Sequence, residues 1–213
     1  MTDDITVVTP SIPTRGLQLR WALESVKQQS LQPAEVIVEM DEHHTGAGAT
    51  RQRGLHKVKT KWVAFLDDDD CFGYDHLKLL LAHALETEAD YAYSWFWTIP
   101  GRMPPLAPDA PVPDKCDVFP ASHFTDPWDP ADPRQTTITT LVKTQLAQAV
   151  GFITPISADD VNGQRAGEDW DFTLGCNQLG KISHLAYRTW YYRHWGFGMK
   201  GIPGNTSGMG DRW

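Results

Sequence analysis

The sequence lacks any apolar run approaching the ~18 residues that a membrane-spanning helix requires, so no membrane span is expected. It also lacks a block of lysine and arginine. Nineteen Lys and Arg stand against 27 Asp and Glu, giving a formal charge of -8, and this disfavours direct binding of duplex nucleic acid. Cysteine is scarce: Cys71, Cys116 and Cys176 are odd in number, widely separated and without metal-ligand spacing. That usage suits a reducing compartment, and no chemistry is assigned to them. Residues 1–4 lead straight into a strand with no signal-peptide pattern, so the expectation is a soluble, cytoplasmic protein. Asn205-Thr206-Ser207 matches a glycosylation sequon but, without an export signal, reads as a chance match. Tryptophan, in contrast, is abundant. Nine are present, enough to supply both core and a stacking surface for a sugar or a base.

The most informative stretch is Lys61-Trp62-Val63-Ala64-Phe65-Leu66 followed by Asp67-Asp68-Asp69-Asp70. An apolar run of strand length ending in four carboxylates reads as a buried parallel strand that delivers acids to the carboxyl edge of a sheet, where open α/β sheets bind ligands. Adjacent carboxylates repel one another. A divalent cation with hard oxygen ligands, Mg²⁺ or Mn²⁺, relieves the repulsion, and so does a solvated acidic turn in which Asp70 or a neighbour caps a helix starting near Tyr74. The run alone leaves both readings open.

The remaining pattern is regular as far as residue 97. A β-branched strand at 5–9 stops at Pro10-Ser11-Ile12-Pro13, a helix runs to Gln29-Ser30, and a second strand at 35–40 ends at Asp41. Strand, helix and strand form a βαβ unit with a right-handed crossover. Small residues at 45–50 then open a helical turn carrying Arg51 and Arg53, which suits either a phosphate or a plain surface turn. A helix at 74–88 and a strand at 90–97 complete this half. Ten of the fifteen prolines fall within residues 100–133, which excludes helix there and predicts a long loop over the site. A strand at 135–142, a helix at 143–150, a helix opened by Gly167-Glu168-Asp169-Trp170, a strand at 182–192 and a glycine-rich tail at 198–213 follow. Acids at a helix start are favoured by its dipole, yet such a start is also a rigid platform for a carboxylate facing a cleft. The tail reads as a lid or as disordered chain.

Taken in order, residues 7–11 with Arg15, residues 25–29, the strand ending at Asp41, Arg51-Gln52-Arg53-Gly54-Leu55, residues 65–70 and Gly167-Glu168-Asp169-Trp170 resemble glycosyltransferase family 2. The resemblance covers roughly residues 5–195. It implies the GT-A fold, an α/β domain with a mixed, mostly parallel central sheet flanked by helices, spanning 1–213 as one domain. Residues 1–97 would form the nucleotide-sugar half, 98–197 the acceptor side and 198–213 the tail. The resemblance further implies an inverting transfer of a sugar from a nucleotide-diphosphate donor, a UDP-sugar first, to an acceptor glycan, protein or small molecule.

Carried over residue by residue, the resemblance places Pro10, Ser11, Arg15, Asp41, Arg51, Gln52, Asp67 and Asp68 around the nucleotide sugar. Gln52 stands where the family usually has Asn, and Tyr74 where it usually has Pro. Asp69 would hold Mn²⁺ or Mg²⁺ with His194, Asp169 would be the catalytic base, and Glu168 its companion. A nucleotidyltransferase acting on a sugar phosphate would carry a Gly-rich basic loop after the first strand, where Pro10-Ser11-Ile12-Pro13 stands instead. A catalytically inactive sugar-nucleotide-binding module is the other alternative.

Overall fold

The computed structural model describes residues 4–100, 128–131, 138–152 and 168–194, apart from the side chains of Pro100 and His194. Strand β1 (Ile5–Ser11) leads through a single 3₁₀ turn (Pro13–Arg15) into α1 (Gly16–Lys27) and β2 (Glu35–Met40). Helix α2 (Ala47–Leu55), β3 (Trp62–Phe65), β4 (Cys71–Phe72), α3 (His76–Glu86) and β5 (Tyr91–Pro100) follow. After the Pro-rich segment come β6 (Thr140–Lys143), α4 (Thr144–Val150), α5 (Glu168–Leu179) and β7 (Ile182–His194).

The described strands form one sheet in the order β2-β1-β3-β6-β5-β7-β4. β1 pairs in parallel with β2 and β3, and β5 in parallel with β7. β6 is antiparallel to both β3 and β5, and β4 is antiparallel to β7, so the sheet is mixed with most strands running one way. Period-two alternation buries both faces. Val7, Trp62 and Ala64 join a core under α1 and α3, while Val8, Val63 and Phe65 join a second core with Leu55, Ala147 and Phe172 of α2, α4 and α5. Gly54 lets α2 lie close on β1, because a Cβ there would fall 2.6 Å from Val8 Cγ1.

Three local differences from the sequence reading have physical causes. β1 continues through Pro10 to Ser11. Val8 C=O accepts from Leu66 N, so the alternate residue Pro10 faces β3 beyond the point where that pairing ends at Val8↔Phe65, and its missing N–H costs no ladder bond. The acidic run does not cap a helix: Asp70 is followed by the short strand β4, and α3 begins later, at His76. β7 is irregular. Leu185 pairs with Ser94, Arg188 with Trp95 and Trp190 with Phe96, so Ala186, Tyr187 and Thr189 are extra residues bulged against β5. The expected strand start at 135–137, most of the Pro-rich loop, Cys116 and the tail at 198–213 lie outside the described residues. Among the described residues no helix is long and apolar enough to cross a membrane.

Candidate active site

The acidic run leaves the end of β3 and turns at once, with Asp70 N donating to Asp67 C=O at 3.2 Å. Burial alternates along it: Asp68 and Asp70 are withdrawn from solvent, whereas the side chains of Asp67 and Asp69 keep 25% and 18% of their exposure. Two carboxylates therefore hold the turn and two face outward. Asp68 accepts from Ser11 Oγ at 2.7 Å and from Arg15 Nη1 at 2.9 Å. Burial pushes its pKa up, against the pull of Arg15 and Ser11. Asp70 accepts from Arg193 N at 2.9 Å, and burial with its neighbours Asp69 and Asp67 raises its pKa well above the usual range. Ser11 and Arg15, placed at the nucleotide by resemblance, thus support Asp68 from beneath, and Arg15 also reaches Asp69 at 3.4 Å.

Arg51 is the joint between distant parts of the chain. Buried on α2, it donates to Asp67 Oδ1 at 2.6 Å and to Glu168 Oε1 at 2.7 Å, tying the acidic turn to the start of α5. Burial works against its charge, but Asp67 and Glu168 more than restore it. Gly48 permits the approach, since a Cβ there would lie 3.1 Å from Glu168 Cγ. Asp169 accepts from Trp170 N at 2.8 Å. Its pKa is raised, by burial first and by the adjacent Glu168, with Arg51 pulling the other way. Below this group Phe65, Phe152 and Phe172 pack ring on ring, with Phe152 and Phe172 stacked at 4.4 Å.

Other expected positions are held by the fold as follows. Asp41 is fully buried and accepts from Thr45 N, Thr45 Oγ1 and Gly46 N, each at 2.9 Å. Burial pulls its pKa upward and is outweighed by these donors and Arg53, leaving it lowered. Gln52 accepts from Phe152 N at 2.6 Å, fixing the chain where Gly151 turns with φ of 67°. Pro10 is buried in β1, and His194 ends β7, its side chain outside the described set. One residue the sequence reading did not single out is Arg193. It is buried, donates from Nε to Asp69 C=O at 2.7 Å and from Nη2 to Cys71 Sγ at 3.2 Å, and lies 4.7 Å over the Trp21 ring. A lone arginine near the end of a strand carries no local signal for such a role.

A family model described as Glycosyl transferase family 2 matches residues 22–109. Over that segment the chain is similar to glycosyltransferase family 2. No curated protein sequence matches the chain. Among solved structures, S. aureus TarS 1-349 shares 17% identity at a TM-score of 0.67, over 89% of this chain and 60% of that one. The same protein in complex with UDP-GlcNAc gives 17% and 0.68 over 94% and 60%, and S. aureus TarS gives 17% and 0.65 over 90% and 37%. The chain therefore spans at most 60% of the length of these structures. The likeness establishes the GT-A fold, with its mixed sheet and flanking helices, as the architecture shared with TarS. The family match covers β2, β3 and the acidic run, and ends short of Glu168 and Asp169.

Proposed function

We propose that the chain transfers a sugar, with inversion, from a nucleotide-diphosphate donor to an acceptor hydroxyl, and that Asp169 is the general base. The observation that carries this reading is the Arg51 bridge, which joins the acidic turn after β3 to the Glu168-Asp169 platform across more than a hundred residues of sequence. Charge neutralisation at a leaving diphosphate and proton removal at an attacking hydroxyl are thereby brought to one place. The acceptor oxygen attacks the anomeric carbon as the bond to the diphosphate breaks, and Asp169 takes the hydroxyl proton as that oxygen becomes acidic. Attack on the face opposite the leaving group inverts the centre.

The residues present suit a divalent cation. Residues 67–70 with Glu168 and Asp169 outnumber the guanidiniums of Arg15, Arg51 and Arg193, so an anionic diphosphate would meet a surplus of negative charge. Among the described residues no group of three or more acidic, His or Cys side chains is placed to hold an ion. The protein would then offer one or two carboxylates and leave the other positions to phosphate and water, a common arrangement for Mg²⁺. Asp69, with His194 added by resemblance, would hold Mn²⁺ or Mg²⁺, which when bound neutralises charge on the diphosphate.

Calorimetric titration of UDP, GDP and dTDP, with Mn²⁺ and again with EDTA, tests the donor site. UDP comes first because S. aureus TarS, of like fold, has been solved with UDP and with UDP-GlcNAc. Metal-dependent binding of one nucleotide is expected, and binding of none would overturn the reading. Asp169→Asn should lower transfer by about 10²–10⁴-fold while UDP binding stays unchanged. Because Asp169 must be ionised to act and its pKa is raised, the acid limb of the wild-type rate profile should lie above the ordinary aspartate value of about 3.9. Near-normal transfer by the Asn variant would remove the base assignment.

A further inference from the structure

A cavity of about 540 Å³ opens between α3, β5 and β7, on the far side of β4 from the acidic turn. Its walls include Tyr74, Trp95, Trp97, Tyr187, Arg188 and Tyr191. The volume lies within the range of small-ligand sites, and the walls combine two chemistries. Aromatic surfaces come from β5 and β7, and the Arg188 guanidinium lies 4.3 Å over the Trp97 ring. Hydrogen-bonding groups come from Asp75, His76 and Thr189. Trp95 Nε1 and His76 Nε2 are buried behind these walls with no hydrogen-bond partner among the described residues. Burial keeps His76 neutral, its pKa pushed down to about 3, and its Nδ1 pairs with Thr189 Oγ1 at 2.6 Å.

The position of the cavity matters as much as its walls. Trp190 and Tyr192 pack on the core under α1 and α3, while the alternate residue Tyr191 takes the cavity side and Arg193 reaches Trp21 of α1. Tyr191 lines the cavity, and Arg193, roughly 7 Å further along the strand, holds the acidic turn. A ligand in the cavity therefore lies beside the strand whose next alternate residue, Arg193, holds the acidic turn. A wholly apolar ligand would strip water from Asp75 and Arg188 without replacing it. A saccharide has apolar C–H faces for the indole and phenol rings and hydroxyls for the donors and acceptors between them.

We propose that this cavity binds a saccharide and is the acceptor subsite of the transfer reaction, an inference that rests on the glycosyltransferase reading above. The acceptor would then be a glycan of more than one unit, held in the cavity with its reacting end at the acidic turn. The test uses the full chain with ¹⁵N-labelled tryptophan, so that indole N–H signals report directly. Trp95→Phe and Trp97→Phe assign the two signals. Chitotetraose, cellotetraose and maltotetraose are titrated to millimolar concentration, and UDP with Mn²⁺ is titrated in parallel.

One saccharide class is expected to move the Trp95 and Trp97 signals. Tyr187 is 60% exposed, so its truncation should leave folding intact. Tyr187→Ala should weaken that saccharide roughly fivefold, the scale of one aromatic contact, with the UDP titration unchanged. If no saccharide moves either signal, the subsite is overturned whatever UDP does. If saccharides move both signals but none of UDP, GDP and dTDP binds, the transferase reading falls and the acceptor role falls with it, leaving saccharide binding alone.

Discussion

At the β1-β2-β3 end of the sheet the strands pair in unbroken parallel register, and their carboxyl ends carry charge that is already engaged: Asp68 by Ser11 and Arg15, Asp67 by Arg51, Asp41 by Thr45 and Gly46. At the β5-β7-β4 end the pairing is bulged, and Trp95 Nε1 and His76 Nε2 are buried without partners among the described residues. Paired charges in a low-dielectric setting fix one geometry. Aromatic rings around a cavity of about 540 Å³ leave open space that paired charges do not. One end is held by paired charge, and the other is left open by its rings.

The sharpest way to break this contrast is Asp68→Ala. It leaves the buried Arg15 charge without its main partner and should cost about 3–5 kcal/mol in urea denaturation. A loss under about 1 kcal/mol would mean that the charges at this end are worth no more than surface pairs. Gly54→Ala probes the packing beneath the same end. Its Cβ would meet Val8, so a loss of about 1–3 kcal/mol is expected. Gly16→Ala, with nothing within 4 Å of the added methyl, is the control and should not destabilise.

The smallest effect belongs to Asp90 at the start of β5, which accepts from Lys143 Nζ at 2.7 Å and Lys181 N at 2.9 Å. Burial pulls its pKa up, but these donors prevail and lower it. The stability it contributes is therefore present above the unfolded value of about 3.9 and lost as pH falls through the lower folded value. Asp90→Asn should cost about 0.5 kcal/mol at neutral pH, and the difference from wild type should shrink as the solution is acidified. A difference that grew on acidification would reverse the sign assigned to this pair.

How far each end could be read from sequence follows the same contrast. β2 appears with the bounds expected, and β3 and the acidic run stand where the apolar stretch placed them, because an apolar run of strand length and a sudden change to Asp are local signals. The division of labour within the run was not legible as roles. Asp68, which the resemblance places at the nucleotide, accepts from Ser11 and Arg15 at the base of the turn. Continuing the strand's alternation into the turn is the signal that would have separated Asp67 and Asp69 from Asp68 and Asp70. β4 is two residues long and exists only through its pairing with Tyr191 and Trp190, far away in sequence. The role of Arg193 is of the same kind: its contacts with Asp69, Asp70 and Cys71 arise from strand pairing, and no spacing in the chain announces them. Gln52, a departure from the family's usual Asn, proves to be engaged with the backbone at Phe152.

The bulge in β7 has a consequence for how such a chain can diversify. Ala186, Tyr187 and Thr189 are surplus residues absorbed between Leu185 and Trp190, while the strand from Trp190 to His194 stays in step with β5. Changes in segment length before residue 190 can be taken up there without shifting Tyr191 or Arg193 by a place. The bulge acts as an expansion joint: the lip of the aromatic cavity, where Tyr187 sits, is free to be lengthened, shortened or rebuilt, while the clamp on the acidic turn keeps its alignment.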